Sequence, residues 1–196
     1  MSLTLLDWRR TVARNFADVR STVADDPEGT LDRFRAAKDR LFREHPDSPL
    51  PISERATFSG LHYWPYDPGL RFEVEVEPLE PLGLQAISGT AATFPLERIG
   101  RIGLPIGSLD VYWLDVYGGG VFVPFRDATN GTDTYGAGRY LLDTVKGADL
   151  GGTDGRLIVD FNYAYHPSCA YDPRWACPLA PPANRLAGRV EAGERL

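Results

Sequence analysis

The stretch DFNYAYHPSCAYDPRWACP, residues 160–178, gathers the side chains most able to do chemistry: both cysteines, one of the three histidines and the acidic Asp160. His166, Cys169 and Cys177 offer one imidazole and two thiolates, a donor set suited to zinc or copper. Their spacing argues against it. His-x-x-Cys is a usable ligand pair, but the cysteines lack a C-x-x-C knuckle and no fourth ligand stands near, so no metal or other cofactor is expected. A thiol nucleophile would need His166 folded back as its base. The plainer reading makes Cys169 and Cys177 small buried groups in a loop pinned by Pro167, Pro173, Pro178, Pro181 and Pro182. A disulfide between them fits a short loop but needs an oxidising setting.

Polar residues on the late strands offer a second constellation. On a strand predicted over 156–165, Asp160 and Asn162 share one face, opposite Leu157, Val159, Phe161, Tyr163 and Tyr165. Arg126, Asp127, Tyr135 and Arg139 of the preceding hairpin reach the same region. Two arginines can hold a substrate carboxylate or phosphate bidentately, and a shielded Asp160 can serve as acid or base. Asp160 and Arg139 are therefore candidate catalytic residues, as is His62, which lies among Tyr63, Trp64 and Tyr66. Arg126, Asp127, Tyr135, Asn162 and Tyr165 are the candidate ligand contacts. The structural alternative is that Arg–Asp pairs fix strand register, Asp127 bonds turn amides and His62 is a hydrogen-bonding residue among aromatics. The glycines of GGG (118–120) and GAGRYL (136–141) do not make a dinucleotide fingerprint, because the third glycine and the following helix are missing.

The elements that must position these residues follow from hydrophobic period. Apolar residues at 5, 8, 12, 16, 19 and 23 draw one stripe down a helix, capped by Ser2 or Thr4 and ended by Asp25-Asp26-Pro27. A second helix is predicted from a Thr30 cap, with Leu31, Phe34, Ala37 and Leu41 on one face, stopping before His45-Pro46. Then the period changes to two: in LRFEVEVEPL, Phe72, Val74 and Val76 alternate with charge. Further strands are predicted at 84–89, 92–102, 108–117, 120–127, 134–143 and 156–165, with Asn130-Gly131 as a tight hairpin turn. In the tail, Asn184, Arg185 and Glu194 tie the C-terminus back onto the sheet, while Trp8 and Trp175 cover the ends of a cavity. The expected fold is α+β and mainly β: an antiparallel β-sandwich or barrel with two N-terminal helices and a proline-rich C-terminal wrap. We expect one domain over 1–196, with a helical segment over 1–46 and a β-rich body over 56–196.

Several strings together, FRDATNGTDTYGAGRYL (125–141), DFNYAYHPSCAY (160–171), CPLAPPANRL (177–186) and EAGE (191–194), resemble the domain-of-unknown-function family 1684, found in bacteria and archaea. GLHYWPYDPGLRF (60–72) extends the likeness. The resemblance implies no established activity, and His166 stands where similar sequences often carry asparagine.

A formal net charge of −6 and a pI near 5.1 leave no positive field to gather nucleic acid. No run is apolar enough for a membrane span or a signal peptide, so the cytoplasm is the expected compartment. The oligomeric state is not written in the chain. Three readings stay open: a protein binding a small, anionic organic ligand in a β-rich cavity; a small cofactor-independent enzyme using Asp160 and Arg139, or His62, for hydrolytic or acid–base chemistry; and a structural interaction protein.

Overall fold

The computed structural model describes residues 3–88 and 92–196. Two helices form one layer, α1 (Leu3–Thr22) and α2 (Pro27–Glu44). Asp26 caps α2 by accepting from the Gly29 amide at 3.0 Å, with Pro27 in the first turn, where a missing N–H leaves nothing unsatisfied. The expected cap Thr30 instead lies inside the helix, buried, and shares a 2.9 Å hydrogen bond with Thr22. Of the caps expected for α1, Ser2 lies outside the described residues and Thr4 lies within the helix. The helical stripes do pack inward. Phe16 and Phe34 meet edge to face at 5.0 Å, and Phe34 meets Tyr163 of the β layer at the same distance. No described helix is long and apolar enough to cross a membrane. A further helical turn, α3 (Ile52–Arg55), leads into the β structure.

The strands are β1 (His62–Tyr63), β2 (Arg71–Glu75), β3 (Glu77–Ile87), β4 (Thr93–Leu104), β5 (Gly107–Leu114), β6 (Gly120–Phe125), β7 (Arg139–Asp143), β8 (Arg156–Asp160) and β9 (Glu194–Arg195). Strands β3 to β7 form an antiparallel meander in chain order. Two smaller pairs, β2 with β8 and β1 with β9, complete the architecture. The sheet is open, so of the two expected architectures the closed barrel is not formed. The mainly-β α+β class, the helical pair and the C-terminal wrap are all present. The end of the predicted 84–89 strand, Gly89, lies outside the described residues.

Two local expectations fail for physical reasons. Phe125 pairs with Arg139, so β6 and β7 are joined by residues 126–138 rather than by a two-residue turn. Within that connection Gly131 does adopt a positive φ of 84°, but Asn130 acts as a loop brace: its Oδ1 accepts from the Asp127 amide at 2.7 Å and its Nδ2 donates to Thr134 and Tyr135. The strand predicted over 156–165 stops at Asp160, whose carboxylate accepts from the Asn162 amide and turns Phe161–Tyr163 into a 3-10 turn. Asp160 and Asn162 consequently do not share a strand face.

The C-terminal wrap is fastened by side chains that imitate backbone. Asn184, fully buried, donates to the carbonyls of Asp110 and Pro124 and accepts from the Asp110 amide at 2.9 Å, so it joins β5 and β6 where they no longer pair directly. Farther on, Gly193 takes a φ of +73°, and a Cβ there would meet the Ala164 carbonyl at 2.5 Å. Only glycine fits that turn, and it delivers Glu194 into the interior.

Candidate functional site

The predicted polar residues do not assemble into one cavity. Arg71 stands directly opposite Asp160 in the β2–β8 register and donates to it at 3.3 Å, while Asn162 donates to Asp160 through both its amide and its side chain. Asn162 also spans to the Asp67 backbone, accepting from its N–H and donating to its carbonyl. Burial raises the Asp160 carboxyl pKa, and the Asn162 and Arg71 bonds oppose that rise. These groups close a clamp that holds the 64–70 segment to β8.

Arg139, paired with Asp160 in the sequence reading, belongs to a different cluster. It is fully buried and donates to the carbonyls of Ala192, Glu194 and Val190, with its guanidinium between Trp64 and Phe125 at 5.2 and 5.0 Å. Asp127 lies 3.6 Å from it and accepts from Thr129 and from the Val190 amide at 2.7 Å. Burial lowers the Arg139 pKa to about 10 against the pull of Asp127 and Glu194. Arg126 joins the tail through its backbone, donating to the Asn184 carbonyl and accepting from Leu186. His62 lies exposed on β1 opposite Arg195. Arg139, Asp127 and Arg126 thus fasten the tail, and His62 stands at the surface.

A cavity walled by aromatic side chains lies between the helical pair and the sheet. It encloses about 80 Å³, walled by Trp8 and Phe16 of α1, Phe34 and Phe42 of α2, Tyr140 of β7 and Tyr165. Both lysines of the chain, Lys38 and Lys146, line it, although arginine supplies the other basic residues. Helix α2 places Lys38 there by period: Phe34, Lys38, Leu41 and Phe42 fall at spacings of four, three and one, on the stripe that faces inward. The ammonium lies 4.7 Å from the Tyr165 ring centre and 5.4 Å from that of Phe42, within cation–π range.

Behind Lys38 stands Glu194. Lys38 Nζ donates to Glu194 Oε1, and Glu194 Oε2 accepts from the His166 amide and the Tyr171 hydroxyl, each at 2.7 Å. Burial by itself would raise this carboxyl, but Lys38 and His166 more than offset it and hold the pKa below the ordinary value. The Lys38 side chain is 13% exposed and that of Glu194 1%. Lys146 repeats the arrangement: it is 45% exposed and lies 3.5 Å from Asp143, which is 2% exposed. In each pair the amine is the accessible member and the carboxylate is hidden behind it.

His166 also reaches the cavity. Its Nε2 accepts from the Tyr135 amide at 3.3 Å and its Nδ1 lies 3.7 Å from Glu194 Oε2. Burial drives its pKa down to about 4, with Glu194 pulling the other way, so at neutral pH the ring is uncharged and both nitrogens face fixed partners. That leaves it poorly placed to act as a general base. Of the predicted contacts, Tyr165 lines the cavity and Tyr135 touches it through His166; Asp160, Asn162, Arg126, Asp127, Arg139 and His62 do not line it. Lys38 was missed. Its signal was present, as a charged residue placed between Phe34 and Leu41 within an apolar stripe.

A family model described as a protein of unknown function, DUF1684, matches residues 56–195. Among solved structures, the solution NMR structure of an uncharacterized protein from Haloarcula marismortui is similar: 37% identity, a TM-score of 0.60, and coverage of 88% of this chain and 96% of that one. No curated protein matches.

Proposed function

We propose a function on physical grounds, given that the chain belongs to the DUF1684 family of proteins of unknown function: it binds a small organic anion, with an apolar or aromatic body, in the cavity between the helical pair and the sheet. The observation that carries this reading is the placement of both lysines on one aromatic-walled cavity, each with its counter-carboxylate on the buried side. A ligand entering there meets rings and amines. The apolar walls would take the body by burial, and the amine would take a carboxylate by a charge-assisted hydrogen bond. The volume sets the size: a cavity of about 150 Å³ holds benzene, so 80 Å³ takes a short acyl chain or part of a single ring whose remainder lies at the mouth, and excludes a nucleotide or a sugar chain.

Titration calorimetry with hexanoate and benzoate, against hexanol and benzyl alcohol, tests the reading. The carboxylates should bind and the alcohols should bind more weakly. Lys38→Met combined with Glu194→Gln removes the pair without leaving either charge buried alone, and should weaken carboxylate binding by roughly 2 kcal/mol, about thirty-fold. Equal affinity for acid and alcohol, or an unchanged affinity in the double variant, would count against the anion assignment.

A further inference from the structure

Where the wrap joins the end of β6, the backbone sets two arginines side by side. Arg126 donates its amide to the Asn184 carbonyl and accepts from the Leu186 amide, each at 2.8 Å, which makes Arg126 and Arg185 direct neighbours in a parallel bridge. Phe125 and Leu186 both point into the core, so alternation along each strand sends the Arg126 and Arg185 side chains out together on the opposite face. Adjacent strands lie about 4.8 Å apart, close enough for two guanidinium groups to meet one small ligand. Like charges so placed repel. The fold does not relieve them: neither guanidinium has an ion-pair or hydrogen-bond partner among the described residues. The nearby carboxylates are engaged elsewhere. Asp127 accepts from Thr129 and the Val190 amide, and Asp110 accepts from Arg101 at 2.6 Å with Arg98 at 3.9 Å. Gly138, whose Cβ would lie 3.1 Å from Arg126 Cγ, leaves room for the Arg126 stem. Arg126 is half-buried and its Nε–H is shut off from water without an acceptor, so part of its hydration is already lost. Arg185 is exposed and completes the pair from the solvent side. We propose that Arg126 and Arg185 form a binding site for a phosphate dianion, free or carried as the monoester of a small molecule.

Each guanidinium is a planar fork of N–H donors that meets two oxygens at once and keeps its charge. Two forks call for a ligand with several acceptor oxygens and close to two negative charges. A phosphate group supplies three such oxygens and a charge of about −1.5 to −2 at pH 7, which a single carboxylate does not. In a chain of net charge −6 the pair is not part of a broad basic surface, so fork geometry rather than a diffuse field does the selecting, and a nucleic-acid backbone is disfavoured. The site is separate from the aromatic-walled cavity. Neither arginine lines that cavity, and the two lysines there each keep a carboxylate partner, as these arginines do not. The inference therefore does not depend on the ligand proposed for the cavity. A bound phosphate would tie the wrap to β6 from outside, adding charge-assisted contacts across the Arg126–Arg185 bridge.

The test uses the full chain at constant ionic strength, with inorganic phosphate replacing chloride, read by thermal unfolding and by the arginine Nε–H resonances of isotope-labelled protein. Phosphate should raise the unfolding midpoint saturably, and the Arg126 and Arg185 signals should shift most. Arg126→Gln and Arg185→Gln both keep the backbone bridge, and each should weaken phosphate binding about ten-fold or more. In chloride alone the midpoint of Arg185→Gln should stand at or above that of the native chain, because one of two repelling charges is gone; a fall would mark Arg185 as structural and overturn the site. Phenyl phosphate binding as tightly as phosphate assigns monoesters, and binding of phosphate alone assigns the free ion; either supports the site. Lys38→Met with Glu194→Gln should leave the phosphate response unchanged, and its loss there would move the anion to the cavity and overturn the proposal. An unchanged midpoint in phosphate, an equal response to acetate, or full affinity in both glutamine variants would overturn it as well.

Discussion

At the scale of single residues, the molecule uses its buried charges in two different ways. Arg139 and Asp127 spend theirs on backbone groups of the tail, whereas Lys38 and Glu194 hold theirs at a cavity wall. The sequence made the first pair conspicuous, because two arginines and two aspartates stood close on late strands. It did not reveal that Arg71 would take Asp160, since that partnership depends on the register of strands nearly ninety positions apart. His166 gives a pH prediction. Its folded pKa of about 4 lies below the 6.5 of a free imidazole, so the unfolded chain binds the proton more readily, and stability is complete above pH 6.5 and lost as pH falls toward 4. Compared with His166→Asn, whose amide can still accept from Tyr135, the native protein should lose roughly 3 kcal/mol more between pH 7 and pH 4. Urea unfolding of both proteins across that range would show it. Asp39 and Asp160, raised by burial, act in the opposite sense but equally in both.

Among elements, the helical pair and the wrap make different contributions. Amphipathic period was legible for both helices, and their inward stripes pack as that period requires. What period could not convey was that the α2 stripe includes a lysine by design of the cavity, because stripe-finding rewards apolar residues and passes over a charge among them. Phe34→Ala should remove the ring that joins Phe16 to Tyr163 and lower stability by roughly 3–5 kcal/mol, measured as a fall in the urea midpoint. The predicted strand over 156–165 illustrates a second limit. Its apolar alternation persists through Tyr165, yet Asp160 captures the Asn162 amide and the chain turns, a local side-chain bond overriding the sheet pattern. Asn184→Ala should show how firmly the wrap is held: it leaves buried backbone groups of Asp110 and Pro124 unpaired, and a loss of about 3 kcal/mol is expected in the same assay.

For the whole molecule, the mainly-β architecture followed from strand period and turn residues, while closure into a barrel did not, since the edge-to-edge pairing that separates an open sheet from a barrel leaves no mark on single-strand periodicity. The tail was read as an anchor, and Asn184 and Glu194 do anchor it; Glu194 also stands behind Lys38, a partnership across 156 positions that only the folded chain makes. The cavity is thus built by the helical layer, the sheet and the 165–168 segment, with the C-terminal wrap behind it through the Lys38–Glu194 pair. Its proposed role as an anion-binding pocket is tested most directly by titrating isotope-labelled protein with hexanoate and following backbone and lysine-amine chemical shifts. The account predicts saturable shifts centred on Trp8, Lys38, Tyr165 and His166, with the Lys38 amine among the largest. Shifts centred instead on Asp160 and Arg71, or none at any residue lining the cavity, would contradict it.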